Sequence, residues 1–292
     1  MVNTRILQQR LGWRAEDGDT PPPGATTAHR PVLQGRVEPV QRATPSRGNR
    51  RGAAEDIWAQ IPVIEPVLSR LTGRARVPAF DRASDTGAAM DRLRTQLTRV
   101  LAEKGWRRIG ITSATRGAGR SFVATALAAS LARLETLRVL LVDTDFEAPG
   151  LAELLAIDAP AAMDPVLTGI AAPETTMLRV GNSLALALNA APVPEATERL
   201  LTPDAILALR TLIDCIAPDV VIHDLPPLID DTVTQALLPQ LDAVLLVADG
   251  TRTTARDILA CERLLEGQVP MLGVVLNKSE DKSPRDTARR RG

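Results

Sequence analysis

Ala114-Thr115-Arg116-Gly117-Ala118-Gly119-Arg120-Ser121 lies between an apolar run and an alanine- and leucine-rich stretch. Glycine at 117 and 119 lets the backbone come close to a ligand that side chains would hold off. Successive N–H groups leading into a helix N-terminus then form a cradle for phosphate. Thr115, Arg116, Gly117, Ala118, Gly119, Arg120, Ser121 and Phe122 are the candidate nucleotide-binding residues, with the Ser121 hydroxyl placed to ligate Mg²⁺. A glycine loop alone says little, but two later segments add to it. VLLVDTDFEAP, residues 139–149, ends an apolar run in Asp143 and Asp145, and VVIHDLPP, residues 220–227, ends another in Asp224. Carboxylates beside a phosphate loop position Mg²⁺ and the attacking group. Asp143, Asp145 and Asp224, with Ser121, are therefore the candidate residues for holding Mg²⁺ and positioning water. Any one of these acids could be a helix cap or a solvated strand end. Three in this order weigh against that reading.

Elements that must position these groups follow from the hydrophobic pattern. Arg108–Thr112 reads as a strand, Ser121–Leu134 as a helix and Arg138–Asp143 as a strand buried on both faces. Leu184–Leu188 is a weaker strand and Pro203–Ile216 a helix; Val220–Asp224, Ala243–Ala248 and Met271–Leu276 are further strands, with a helix over Thr251–Glu266. Before them, Met90, Leu93, Leu97 and Leu101 form one stripe of a helix over Ala89–Leu101. Alternating strands and helices predict an α/β fold, a mostly parallel central sheet with helices on both faces. Ligands bind such sheets beyond the carboxyl ends of the strands, where all three acidic and glycine-rich segments deliver their polar residues.

The domain layout expected is a disordered region over 1–55, a docking segment and leading helix over 56–105, a nucleotide-binding domain over 106–280 and a flexible basic tail over 281–292. Residues 1–55 are rich in Arg, Pro, Gly and Thr, a composition that buries too little surface to offset its ordering entropy. Ile57–Leu71 is apolar again and reads as a segment for docking on a partner.

The chain has 292 residues, with Lys+Arg 35 balancing Asp+Glu 35, so a basic coat for nucleic acid is not expected. Cys215 and Cys261 lack CxxC or Cys/His spacing, which argues against a disulfide framework or zinc site and suits a reducing compartment. No apolar run approaches the ~18 residues of a membrane span, and no secretory signal is visible, so a cytoplasmic location is expected. His223, inside an apolar strand, reads as a packed core residue. Aromatic residues are 2% of the chain, and there is no tyrosine.

SATRGAGRS, LLVDTDFEAP and VVIHDLPP, followed by LDAVLLVADGTRTTARD and GVVLNK, resemble the bacterial tyrosine kinases over roughly residues 88–278. These are the CpsD/CapB-type autokinases of exopolysaccharide and capsule synthesis, related to the MinD/ParA ATPases. The resemblance makes the three segments Walker A, Walker A′ and Walker B. It implies ATP and Mg²⁺ as cofactors, Asn277 as a contact to the base, and a membrane polysaccharide co-polymerase as partner, with peripheral association at the membrane through it. The chain departs from that pattern in several places. Arg120 stands where the family has the Walker lysine, and a planar guanidinium does not occupy the point of an ammonium. Glu147 and Ala148 replace basic residues after the second Asp. The family's ring-forming Glu-x-x-Arg-x-x-Arg falls on Ala88, Asp91 and Arg94, leaving one base in place and pointing to weak or no self-assembly. Without tyrosine, tyrosine autophosphorylation is impossible.

These features favour a P-loop protein of exopolysaccharide biosynthesis with weakened or lost kinase activity. The retained Asp143, Asp145, Asp224 and Ser121 keep open an active protein kinase working in trans. A MinD/ParA-like positioning ATPase is disfavoured by Thr115, where those relatives carry an extra lysine. The C-terminal DKSPRDTARRRG also has no apolar stripe to insert in a membrane.

Overall fold

A computed structural model describes residues 47–64, 85–229 and 231–278. Expectations for 1–46, for 65–71 and for the tail over 281–292 lie outside the described residues. In order, the elements are α1 (Arg47–Gln60), β1 (Val63–Ile64), α2 (Asp85–Lys104), β2 (Arg108–Ser113), α3 (Arg120–Ala132), β3 (Val139–Asp143), α4 (Leu151–Leu155) and α5 (Asp164–Leu167). Then come β4 (Met177–Val180), β5 (Leu184–Ala187), α6 (Ala196–Leu200), α7 (Pro203–Asp214), β6 (Val220–Asp224), α8 (Thr232–Leu237), β7 (Ala243–Asp249), α9 (Ala255–Leu265) and β8 (Met271–Asn277).

Eight strands form one sheet in the order β1-β4-β5-β3-β6-β2-β7-β8. Every neighbouring pair is parallel except β4 with β5. The apolar runs VLLVD and VVIHD are buried at every position because helices cover both faces. On one face Met90 and Leu93 of α2 and Val123 and Leu127 of α3 pack on Ile109, Leu141 and Ile222. On the other, Leu209 and Leu212 of α7 and Cys261 and Leu265 of α9 pack on Leu140, Val221 and Leu246. The β2–β6–β3 core sets Ile111 opposite Asp224 and Asp143 opposite Asp224 in register. That register brings the ends of all three functional segments to one edge.

Two differences from the sequence reading have local causes. Residues 47–55, expected to be disordered, lie in α1, which is anchored by Ala54, Trp58 and Ile61 buried against the domain. The Trp58 ring has the Arg138 and Arg179 guanidinium groups at 5.0 and 5.6 Å, and Arg179 donates to the Trp58 carbonyl at 3.1 Å. Trp58 and Ile61 of the apolar docking segment are thus consumed inside the molecule, while Val63 stays exposed. α9 starts at Ala255 rather than Thr251. Asp249 captures the Thr251 N–H and hydroxyl, and Thr254 forms a capping box with Asp257. No described helix is long and apolar enough to cross a membrane.

Candidate functional site

β2 ends at Ser113 and α3 begins at Arg120, so the loop between them is held at both ends by buried elements. Gly117 and Gly119 have φ of +85° and +93°, the left-handed conformation that glycine adopts without a Cβ penalty. A Cβ on Gly119 would also collide with the Asn277 side-chain amide. Three side chains grip carbonyl oxygens of the loop. The Ser113 hydroxyl donates to Thr115 O at 2.6 Å, Lys278 Nζ to Gly117 O at 2.6 Å, and Asn277 Nδ2 to Ala118 O at 2.9 Å. Gly117, Gly119, Arg120, Ser121 and Phe122 line an open cavity of about 440 Å³ together with Gly150, Glu153 and Leu154. A groove of about 680 Å³ at the start of β8 contains none of these residues.

Next to the loop the acids converge. Asp224 is buried and hydrogen-bonded to the Ser121 hydroxyl; burial pushes its carboxyl up to about 7, against the pull of Ser121 and Arg120. Asp143, beside it in register, accepts from Leu151 N at 3.2 Å, and burial, then the Asp224 charge, push it up to about 8. One oxygen of each carboxylate, Oδ1 in both, is buried without a hydrogen-bond partner. Two adjacent buried carboxylates with orphaned oxygens disfavour double ionisation unless a cation or a proton compensates.

Asp145 has a different environment. Arg116 grips it with Nη1 at 2.8 Å and Nη2 at 3.3 Å, and Arg120 Nη2 reaches the same carboxylate at 3.2 Å. Arg120 is buried, and its other terminal nitrogen donates to the Ser113 hydroxyl at 3.2 Å. The Arg120 guanidinium therefore faces inward, and burial lowers its pKa. Asp231 stands 3.8 Å from Arg116, so this basic pair faces two acids.

The loop residues and the three strand-end aspartates thus share one edge of the sheet. Asn277 is there too, with its amide N–H spent on the loop. Sequence reading passed over Asp231, Asp249 and Lys278. Lys278 Nζ lies 3.0 Å from Asp249 Oδ2, and the Thr251 hydroxyl and N–H together with Lys278 hold the Asp249 carboxyl down at about 2. The only hint was position: Asp249 ends an apolar run as Asp143 and Asp224 do, and Lys278 follows another.

Among the described residues no group of three His, Cys, Asp or Glu side chains could hold a metal ion unaided. Mg²⁺ in a phosphate site takes one or two protein oxygens and fills its shell with phosphate and water. The orphaned oxygens beside Ser121 fit such an ion.

A parallel strand, a glycine loop and a helix N-terminus, flanked by two acid-ended strands, define a P-loop NTPase domain. The family model of ParA, described as NUBPL iron-transfer P-loop NTPase, matches residues 106–290, more than half of the chain, and the chain belongs to that family. The succinoglycan biosynthesis transport protein ExoP of Rhizobium meliloti (strain 1021) is 31% identical over 189 residues. That match is 62% of this chain but only 23% of ExoP, so the chain spans less than a quarter of that relative. In fold it is similar to the chimerical protein CapA2B2, with a TM-score of 0.63 at 20% identity over 77% of this chain and 99% of that one. It is also similar to the kinase domain of Escherichia coli tyrosine kinase ETK, with a TM-score of 0.61 at 24% identity over 76% of this chain and 90% of that one. The fold is that of bacterial tyrosine kinase domains.

Proposed function

We propose that the chain binds ATP with Mg²⁺ at residues 115–122 and serves exopolysaccharide biosynthesis as a regulatory or scaffolding partner of a membrane polysaccharide co-polymerase, with phosphoryl transfer weak or lost. The observation that carries this is the pairing of a formed phosphate loop with a buried Arg120 that is bonded to Asp145 and Ser113. The loop can receive a polyphosphate on backbone N–H groups and the α3 N-terminus. Ser121 and Asp224 would hold Mg²⁺, which supplies charge neutralisation of the β- and γ-phosphates. Asp143, pushed up to about 8 by burial, is placed to hold a proton beside them. Asp145 has its carboxylate oxygens already engaged by two guanidinium groups, so a substrate hydroxyl would have to displace one of them to reach it. With no tyrosine in the chain, self-phosphorylation on tyrosine has no target. The likeness to the succinoglycan biosynthesis transport protein ExoP supports the polysaccharide context, and the co-polymerase partner is what the sequence resemblance to bacterial tyrosine kinases implies.

An active kinase in trans is the second reading, favoured by retention of all three aspartates and Ser121. Titration with a fluorescent ATP analogue and Mg²⁺, beside a turnover assay, separates the two. Micromolar binding with negligible turnover is expected, and binding should fall at least about tenfold in Asp143→Ala/Asp224→Ala. Equal absence of binding in wild type and variant would leave an inherited fold without nucleotide. Rapid transfer to a protein substrate would favour the kinase.

A further inference from the structure

The geometry points to Asn277 and Lys278 as positioning residues that aim the phosphate-binding N–H groups of the loop. This rests on the nucleotide-binding reading above. No peptide in the described chain is cis. In a trans peptide, the carbonyl of one residue and the N–H of the next point in opposite directions. Lys278 holds the Gly117 carbonyl, and Asn277 holds the Ala118 carbonyl. The N–H groups of Ala118 and Gly119 are thereby turned away from β8, on the side where Gly117, Gly119 and Ser121 line the cavity.

The grip has little freedom. Asn277 is buried as the last residue of β8, and its amide fills the space a Gly119 side chain would need. Lys278 is fixed from behind by Asp249, and its own φ of +55° turns it toward the loop. Asp249 and Asn277 sit side by side at the ends of β7 and β8, and Gly250 N donates to Asn277 O at 2.7 Å. The ends of two strands thus set the orientation of two successive loop peptides. With Arg120 turned inward, backbone N–H groups carry more of the phosphate contact, so their aim matters more.

Binding of MgADP and of inorganic pyrophosphate, measured calorimetrically on the full chain, tests this. Asn277→Ala removes no charge, so any loss reports orientation rather than attraction. Both ligands should weaken together, on the order of tenfold, the equivalent of one charge-assisted hydrogen bond. A residue that contacts only the base would weaken MgADP and leave pyrophosphate unchanged, which overturns the proposal. Lys278→Met, at a half-exposed position, guards against misfolding of the first variant, and Lys278→Arg should recover most of its loss. Hydrogen exchange of the 115–121 amides should rise in both Asn277→Ala and Lys278→Met without ligand. Unchanged exchange and unchanged binding in both would refute the positioning role while wild-type binding stands. No binding of either ligand to wild type would overturn the nucleotide reading and this one with it.

Discussion

Asp145 would compete with a bound polyphosphate for the Arg116 and Arg120 guanidinium groups. A polyphosphate would be a better partner for two guanidinium groups than one carboxylate, but it must first displace Asp145 from both. Asp145→Asn should therefore tighten ATP binding in the absence of Mg²⁺ by about tenfold. The same change should lower the melting temperature of the free protein, because it strips charge from the partner of a buried guanidinium. Added ATP should restore that loss; weaker Mg²⁺-free binding would show that Asp145 serves the ligand directly. Arg120→Lys removes the longer reach to Asp145 and returns a point charge near the phosphates. It should raise any ATPase rate, about tenfold for each ~1.4 kcal/mol regained in the transition state. The loop and its three aspartates were legible in sequence because each follows an apolar run that could only be a buried strand. The Lys278–Gly117 and Asn277–Ala118 contacts were not, since they join residues about 160 positions apart and depend on β8 ending beside the loop.

At the level of elements, the central strands were readable because burial on both faces leaves unbroken apolar runs. β1 and β4 were not. β1 has only two residues, and β4 is half-buried at its far end, next to the sheet edge, so neither shows such a run. The α1–β1 unit is fixed by tertiary contact, chiefly Trp58 between two arginines and β1 paired with β4. Trp58→Ala should cost about 3–5 kcal/mol in denaturant unfolding, as for a buried aromatic truncated in a core. A change under about 1 kcal/mol would show that α1 undocks independently of the rest. β6 carries a second stability lever in His223, which is buried with both ring nitrogens unpartnered and pushed down from 6.5 to about 4 by burial. In that window the unfolded chain binds the proton more readily than the folded one. The His223 contribution to stability is therefore complete above pH 6.5 and falls by about 3 kcal/mol as pH drops toward 4. Asp143 and Asp224 act with the opposite sign: their raised values favour the folded state at low pH and lose that benefit as pH rises through about 7 and 8. Comparing pH–stability profiles of wild type and His223→Leu isolates the histidine. The difference between them should grow only below about pH 6.5, and a constant offset would show that His223 never charges on unfolding.

For the whole molecule, the helix positions that the sequence resemblance matched to a ring-forming motif are engaged within the subunit. Asp91, at the middle of the three matching positions, accepts from the Ser130 hydroxyl at 2.7 Å, from Arg94 at 3.0 Å and from Arg133. Arg94 also donates to the Ser130 carbonyl at 3.0 Å, so both residues tie α2 to α3 within one subunit. An acid that already satisfies two guanidinium groups and a hydroxyl has little to offer a neighbour, and Ala88 offers no charge at all. The 292 residues also contain no tyrosine to place in a neighbouring subunit's site. The protein purified alone should therefore be a monomer or weak dimer at micromolar concentration, with or without MgATP, as read by multi-angle light scattering. A stable ring of about eight subunits would mean that a different surface closes it. Ala88→Glu combined with Asp91→Arg restores the family's charge order at the cost of the internal cluster. If the cluster rather than the missing tyrosine limits assembly, that double variant should shift the population toward larger species while its melting temperature falls. If it stays monomeric at full stability, the Asp91 cluster is not what keeps subunits apart.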